Sequence, residues 1–460
     1  MEEVTGSTDR GAVFSRDWTK GSIIRNLLSL SLPMMVHESF YMVGQVVDMI
    51  WVGRLGAAAI AGVGIASVIA MIAESAMMGL IVGMTAMIAR FVGAGDAKGA
   101  SHVARQAFII SFAYGAVATV IVVPFAKPIL SLFGLEDAVV IEGVAYMRTL
   151  FAGSLAMSFW FMGLSIMRAS GDSVTPMRIS IFVRCIHVLL DPFLIFGWWV
   201  FPRMGVSGAA LSNVVAQTLG MSISLWILFS GRTRLRLTLS NFRVDLSTIW
   251  RIVRIGIPAG VMSVQRSFGN LILAWLLVPF GTLAIAAHSL YQRVLMVLFL
   301  PSWALGMGSG VLVGQNLGAR QPERAQRTGW LATGIVEAIM LVASVAILLW
   351  AEGIIRIFTT EPDLVEIASV FLRIATAGFI VAGLVTVLQQ SISGAGDTMP
   401  PMIIGLVTVW VVQLPLAYFL PQVTTLGMYG VRWAIVAGMI VGAVAYAIYF
   451  RLGRWKRKRV

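Results

Sequence analysis

Asp48 and Asp191 are the residues of this chain whose type and setting most demand chemistry. Asp48 lies in SLSLPMMVHESFYMVGQVVDMIWVG and Asp191 in FVRCIHVLLDPF, two stretches otherwise apolar enough to sit in a bilayer. A carboxylate in hydrocarbon is expensive and is retained with a partner or a task. Helical spacing adds polar neighbours to each. Glu38, Tyr41, Gln45 and Asp48 fall at i, i+3, i+7 and i+10, a polar stripe along one helix face, while Arg184, His187 and Asp191 share a face of another. At roughly 1.5 Å of rise per residue, both aspartates reach the outer half of the membrane, so the two carboxylates are expected to meet. Two such groups cannot both ionise cheaply in a low dielectric, and a pair that takes up and releases a proton is the chemistry they imply. Pro192 obstructs the carbonyl of Val188, and a freed carbonyl beside a carboxylate also suits a cation. Two residues keep alternative readings. His187 either joins the carboxylates or is a neutral helix contact, and Glu38 either lines a substrate cavity or pairs with Arg184.

The elements that must hold these groups are membrane helices. Of 460 residues, 58% are hydrophobic and 12% charged, with mean hydropathy +0.88, against roughly a quarter charged in a soluble protein. Twelve candidate spans cover about 27–52, 58–89, 104–126, 139–167, 177–200, 206–230, 250–276, 283–313, 329–351, 365–392, 402–420 and 431–452, each near the ~20 residues a bilayer core requires. The polar first 22 residues hold no apolar core before a small-residue cleavage site, so no cleaved leader is expected. Cys185 is the single cysteine, and the four histidines (37, 102, 187 and 288) are dispersed, so neither an internal disulfide, a metal centre nor a cofactor is expected. The net charge of +13 is placed asymmetrically. With loops numbered alternately, 24 Lys and Arg, including Arg10, Arg16 and Arg459, fall on one side and 5 on the other. That distribution puts both termini in the cytoplasm and favours anionic lipid headgroups over nucleic acid.

The chain also repeats itself. An offset of 225 residues pairs Pro33 with Pro258, Gly56 with Gly281, Gly93-Ala94 with Gly318-Ala319, Gly171-Asp172 with Gly396-Asp397, and Gly205-Val206 with Gly430-Val431. The organisation is then a cytoplasmic N-terminal segment (1–26), an N-lobe of six helices (27–230), a cytoplasmic linker (231–249), a C-lobe of six helices (250–452) and a basic cytoplasmic tail (453–460). Six spans each give the lobes the same orientation, related by an axis along the membrane normal, with a substrate site between them. The offset carries Glu38, Asp48, Glu74, His187 and Asp191 onto Ser263, Leu273, Phe299, Val412 and Leu416. Whatever the membrane acids do, the N-lobe does alone. The C-lobe offers Glu337 and scattered polar residues such as Gln265, Arg266, Asn270 and Gln389, for which interhelical hydrogen bonding is the ordinary reading. Twenty-five methionines would let a pocket repack around differently shaped apolar ligands.

VVDMIWVGRLGAAAIAGVG and its echo VPFGTLAIAAHSLYQR resemble the multidrug and toxic compound extrusion (MATE) transporters. So do ARFVGAGDAKGA with VGQNLGARQPERA, the RASGDSVTP and SGAGDTMPP loops, and LLDPFLIFG. The missing acid in the seventh helix resembles the DinF-like branch. The resemblance implies an all-α integral membrane protein of twelve transmembrane helices in two lobes set as a V. It implies a monomer of the cell membrane that exports lipophilic or cationic drugs against inward protons or sodium. By motif match Asp48 and Asp191 fall on the family's ion-coupling carboxylates and Tyr146 on a cavity position. Glu38, Tyr41, Gln45 and Arg184 would line the same cavity. His187 stands where the family usually has Asn. An imidazole is a poorer hard-cation ligand than an amide oxygen, which favours protons over sodium. The alternative is a flippase for a lipid-linked oligosaccharide, expected to carry a strongly cationic cavity. An integral-membrane enzyme is disfavoured, since no nucleophile–base pair, metal cluster or phosphate loop stands out.

Overall fold

The computed structural model describes residues 17–238 and 242–458. Arg10, Arg16 and Arg459, and with them most of the expected N-terminal segment, lie outside those residues. Among the described residues there is no strand, and nine helices are long and apolar enough to cross a membrane, or eleven when two bent pairs are each taken as one span. The remaining expected span is Ile23–Gly53, a 31-residue helix whose polar stripe lowers its mean hydropathy. The second and third spans are Ala57–Gly93 and Ala97–Ser131, the fifth and sixth Val174–Phe196 and Val206–Ser230. The seventh is Leu246–Trp275, the ninth and tenth Pro322–Arg356 and Pro362–Gly394, and the twelfth Met428–Leu452.

Four spans differ from the expectation of continuous helices, the ninth by a kink at Trp350 (φ −125°, ψ 21°). The fourth breaks at Gly153 into Asp137–Ala152 and Ser154–Ser170, bent by 53°, and the eighth into Thr282–Leu298 and Leu300–Gly318, bent by 44°. The eleventh, Met399–Val423, passes through a π-helical stretch at Val407–Gln413. Conversely, the first and fifth helices run through Pro33 and Pro192 without a break. A proline removes one ladder hydrogen bond, and packing against neighbours lets a membrane helix absorb it.

Local chemistry sets the helix starts. Gly56 and Gly281 precede the second helix of each half with matching backbone angles, φ 114° and 88° with ψ 175° and 176°, a region closed to other residues. The 225-residue register therefore holds at this turn. It fails before the last helix. Gly205 (φ 57°, ψ −133°) finds its counterpart in Gly427 (φ 53°, ψ −132°) and not in Gly430, because the loop entering the twelfth span is shorter. Asp245 caps the seventh helix through the Ser247 and Thr248 amides and reaches His102 at 3.0 Å. A hydrogen bond from the Thr248 hydroxyl, aided by His102, holds its carboxyl below the usual range.

The lobes meet at the end of the bundle from which the first helix starts, here termed the terminal face. A Cβ placed on Gly83 would lie 2.3 Å from the Ile252 carbonyl oxygen, and one on Gly79 would lie 2.5 Å from the Gly260 amide. The pseudo-twofold repeats this contact, with Gly308 against Ser31, and again at the rim, with Gly93 against Gln315 and Gly318 against Arg90. These contacts lie in the half of each helix nearest the terminal face, and beyond them the lobes diverge as a V. Two cross-lobe hydrogen bonds complete the seam: Arg90 Nη2 donates to the Ala395 carbonyl at 2.8 Å and Gln315 Nε2 to that of Ala169 at 3.1 Å. Arg90→Ala combined with Gln315→Ala is expected to weaken this closure by about 2–4 kcal/mol. Spin labels on Lys98→Cys and Arg320→Cys, with Cys185→Ala as background, should then report a second, longer distance; an unchanged distribution would rule the bonds out as a lock.

Candidate functional site

The first and fifth helices approach closely because Gly44 has no side chain: a Cβ there would lie 2.2 Å from Arg184 Cδ. Arg184 therefore crosses the first helix, with its guanidinium 4.9 Å from the centre of the Tyr41 ring. That approach brings Asp48 to His187 and Asp191, with one ligating atom from each inside 4.8 Å of the others. His187 Nε2 lies 3.7 Å from Asp48 Oδ1 and 3.4 Å from Asp191 Oδ1, and Arg184 Nη1 lies 4.0 Å from Asp48 Oδ2. The Ser212 hydroxyl donates to Asp191. Asp191 is fully buried, whereas the Asp48 side chain is 26% exposed, so Asp48 is the member that meets water.

Arg184 also sets the tautomer of His187. Its Nη1 is 2.8 Å from His187 Nδ1. A guanidinium only donates, so Nδ1 accepts and the neutral ring carries its hydrogen on Nε2. That N–H faces the two carboxylates, beyond hydrogen-bond length from each. With both aspartates ionised, Arg184 charged and His187 neutral, the set carries one net negative charge, and a single proton brings it to zero.

The other expected residues are distributed around this set. Glu38 does not pair with Arg184. It lies 3.9 Å from Arg168 and 3.8 Å from His37, because Arg184 is already turned to Tyr41 and His187. Gln45 is exposed on the first helix. Tyr146 packs beside Val52, Val63 and Ile195 in a cluster next to the acids. Between the Glu38 group and the acid set lies a cavity of about 30 Å³, lined in part by His37, Tyr41, Ser180, Arg184, Asn213 and Gln217. Ser212, Asn213 and Gln217 of the sixth span, and Arg168 of the fourth, are not singled out by the sequence reading. Asn213 and Gln217 are four apart on one face, the signal that was available.

Two further segments settle the family. Residues 33–193 and 258–419 each match the MatE family model, and the two matches begin 225 residues apart. The chain belongs to the MatE family. This MATE protein is 26% identical over 442 residues to the probable multidrug resistance protein NorM of Thermotoga maritima, with 95% of this chain and 94% of the relative covered. It is 24% identical over 436 residues to the FAD transporter of Shewanella oneidensis, covering 93% and 94%. It superposes with TM-score 0.89 and 25% identity on an outward-facing multidrug resistance MATE family transporter, covering 96% and 98%. Within the MATE fold the Asp48–His187–Asp191 set has the span of a small cation site, but its donor set fits one poorly. The His187 nitrogen nearest the carboxylates carries hydrogen and has no lone pair to give.

Proposed function

We propose that this MATE protein is a secondary active exporter of small lipophilic and cationic compounds, driven by inward movement of protons through Asp48, His187 and Asp191. The observation that carries the reading is the convergence, within 4.8 Å, of three ionisable residues that the C-lobe does not repeat. The basic excess on one side supports an orientation with both termini in the cytoplasm of a cell that carries the protein in its plasma membrane. The seam at the terminal face then closes the inner side, and the V opens outward. The chain works as a monomer among membrane lipids, with no cofactor.

A proton arriving from outside meets Asp48 first. Sharing it between Asp48 and Asp191 removes the net charge, draws the carboxylates together and lets His187 Nε2–H bridge them. The first helix then packs more tightly on the fifth, the cavity between them shrinks, and the substrate leaves outward. In the inward-open state water reaches the set from the cytoplasm, the proton departs, and the restored charge reopens the cavity for a cation. The FAD transporter among the relatives indicates that the scaffold serves other substrates, so substrate choice lies in cavity walls and not in the ion set.

The test is export from proteoliposomes under imposed gradients. Uptake of ethidium into inverted vesicles should follow ΔpH, collapse on addition of a proton–potassium exchanger, and ignore sodium. Transport on a sodium gradient alone would sink proton coupling. Loss of the protein should sensitise a cell to lipophilic cations without arresting envelope synthesis, which separates drug export from lipid-linked oligosaccharide flipping.

A further inference from the structure

The C-lobe repeats the wall of the N-lobe cavity with other residues. His37, Tyr41, Phe161, Val183 and His187 line the N-lobe cavity. The 225-residue register puts Met262, Arg266, Thr386, Thr408 and Val412 in their places. Of these five, Arg266 alone is charged. Gly405 stands where the N-lobe has Ser180 and Gly438, by the twelfth-span register, where it has Ala216, and the side chains of Gln265 and Gln413 pack over them. The eleventh span is π-helical over Val407–Gln413, the stretch that contains the counterparts of Arg184 and His187. Such turns interrupt helices mainly at functional sites.

Arg266 projects from the apolar seventh helix within its membrane-spanning length. Its guanidinium lies 5.6 Å from the centre of the Trp303 ring, and it makes no ion pair with a carboxylate among the described residues. Glu337, the membrane acid of this lobe, is turned away and accepts from the Leu384 backbone N–H at 2.5 Å. A cation without a counter-ion at this depth is a functional feature by default. A guanidinium that rests on an aromatic face keeps its in-plane N–H groups free for an oxyanion. Met262, with its sulfur 3.5 Å from Gln389 Nε2, adds an adaptable apolar surface one turn away.

We infer that the C-lobe holds a binding site for an amphiphilic anion: an apolar body against Trp303, Met262 and the π-helical turn, with a terminal carboxylate or phosphate-type oxyanion on Arg266. The site does not depend on proton coupling. Only the step from binding to export of the anion rests on the transport reading.

Equilibrium binding to the purified full chain tests the site without transport. The probes are 11-(dansylamino)undecanoate and its methyl ester, with inorganic phosphate as competitor. The acid should bind about tenfold or more tighter than the ester, the contribution of one charge-assisted hydrogen-bonded contact. Arg266→Met should remove that preference while leaving the ester unchanged, and Arg266→Lys should keep part of it. Competition by phosphate alone at millimolar concentration would assign the site to free phosphate and overturn the amphiphile. Equal binding of acid and ester, or an acid preference that survives in Arg266→Met, would overturn the site itself. Should Arg266→Met fail to express, Arg266→Gln takes its place with the same two outcomes. Failure of the parent protein to export any compound would refute the proposed function and leave this binding result standing.

Discussion

Asp48→Asn and Asp191→Asn, made singly, are expected to insert and fold as the parent does and to lose proton-driven export to the protein-free background. Asparagine keeps the shape and the hydrogen bonding of each site. In Asp191→Asn the new amide oxygen can still accept from the Ser212 hydroxyl, and the stability change should stay within about 1 kcal/mol. What is lost is the ability to gain and release a proton. The set then holds one fixed charge fewer and stays neutral through the cycle, with Arg184 balanced by the remaining carboxylate. Because the two residues act as a unit, the double variant should be no worse than either single one. A distinct outcome is expected for His187→Gln, which keeps a donor toward the carboxylates but frees Arg184 of its acceptor: export should persist with an altered pH profile. The measurement is ΔpH-driven transport at matched reconstitution, with substrate binding as a control for folding. Full export by either asparagine variant would show that the carboxylates are structural.

The meeting of Asp48 and Asp191 is legible in the sequence, because a helix is a ruler: residue count gives depth, and periodicity gives the face. The same ruler does not name the neighbour across the gap. Glu38 shares the stripe with Asp48, but its partner is Arg168, three spans away in sequence. Nothing in the spacing of either residue selects that pair over Arg184. Ser212 is invisible for a related reason. A serine in a helix ordinarily bonds its own turn, and the Ala209 carbonyl stands 2.9 Å from the Ser212 hydroxyl as the competing acceptor, so its bond to Asp191 needs the packing of the sixth helix on the fifth. The break in the eighth span does have a signal, since Pro301 sits in the first turn of the helix that follows, where proline is favoured. In the first and fifth helices proline carries the same signal of interruption, and there the helix continues. Internal repetition is the most informative property, up to the loop before Gly427, where a length change shifts the register while both glycines keep the same backbone angles.

That repetition leads to the second large effect, Gly83→Leu. A Cβ on Gly83 would stand 2.3 Å from the Ile252 carbonyl oxygen and 3.1 Å from the Gly256 amide, both backbone atoms that no rotamer change can move. Its pseudo-symmetric partner, Gly308, meets instead the Ser31 hydroxyl, the end of a side chain that can rotate away. Overpacking a contact of the first kind costs about 2–3 kcal/mol, and the cost applies only in the state where the terminal face is closed. The penalty is thus differential, and at about 1.4 kcal/mol per factor of ten it displaces the equilibrium roughly 30- to 140-fold toward the state open on that face. Gly83→Leu should therefore accumulate the longer distance between labels at positions 98 and 320, fold normally, still bind substrate and fail to export it. Gly308→Ala should export nearly as the parent does. The contrast between the two glycines is the decisive part. If both substitutions abolish export, or neither changes the label distance, then the seam is ordinary helix packing and closure of the terminal face is governed elsewhere.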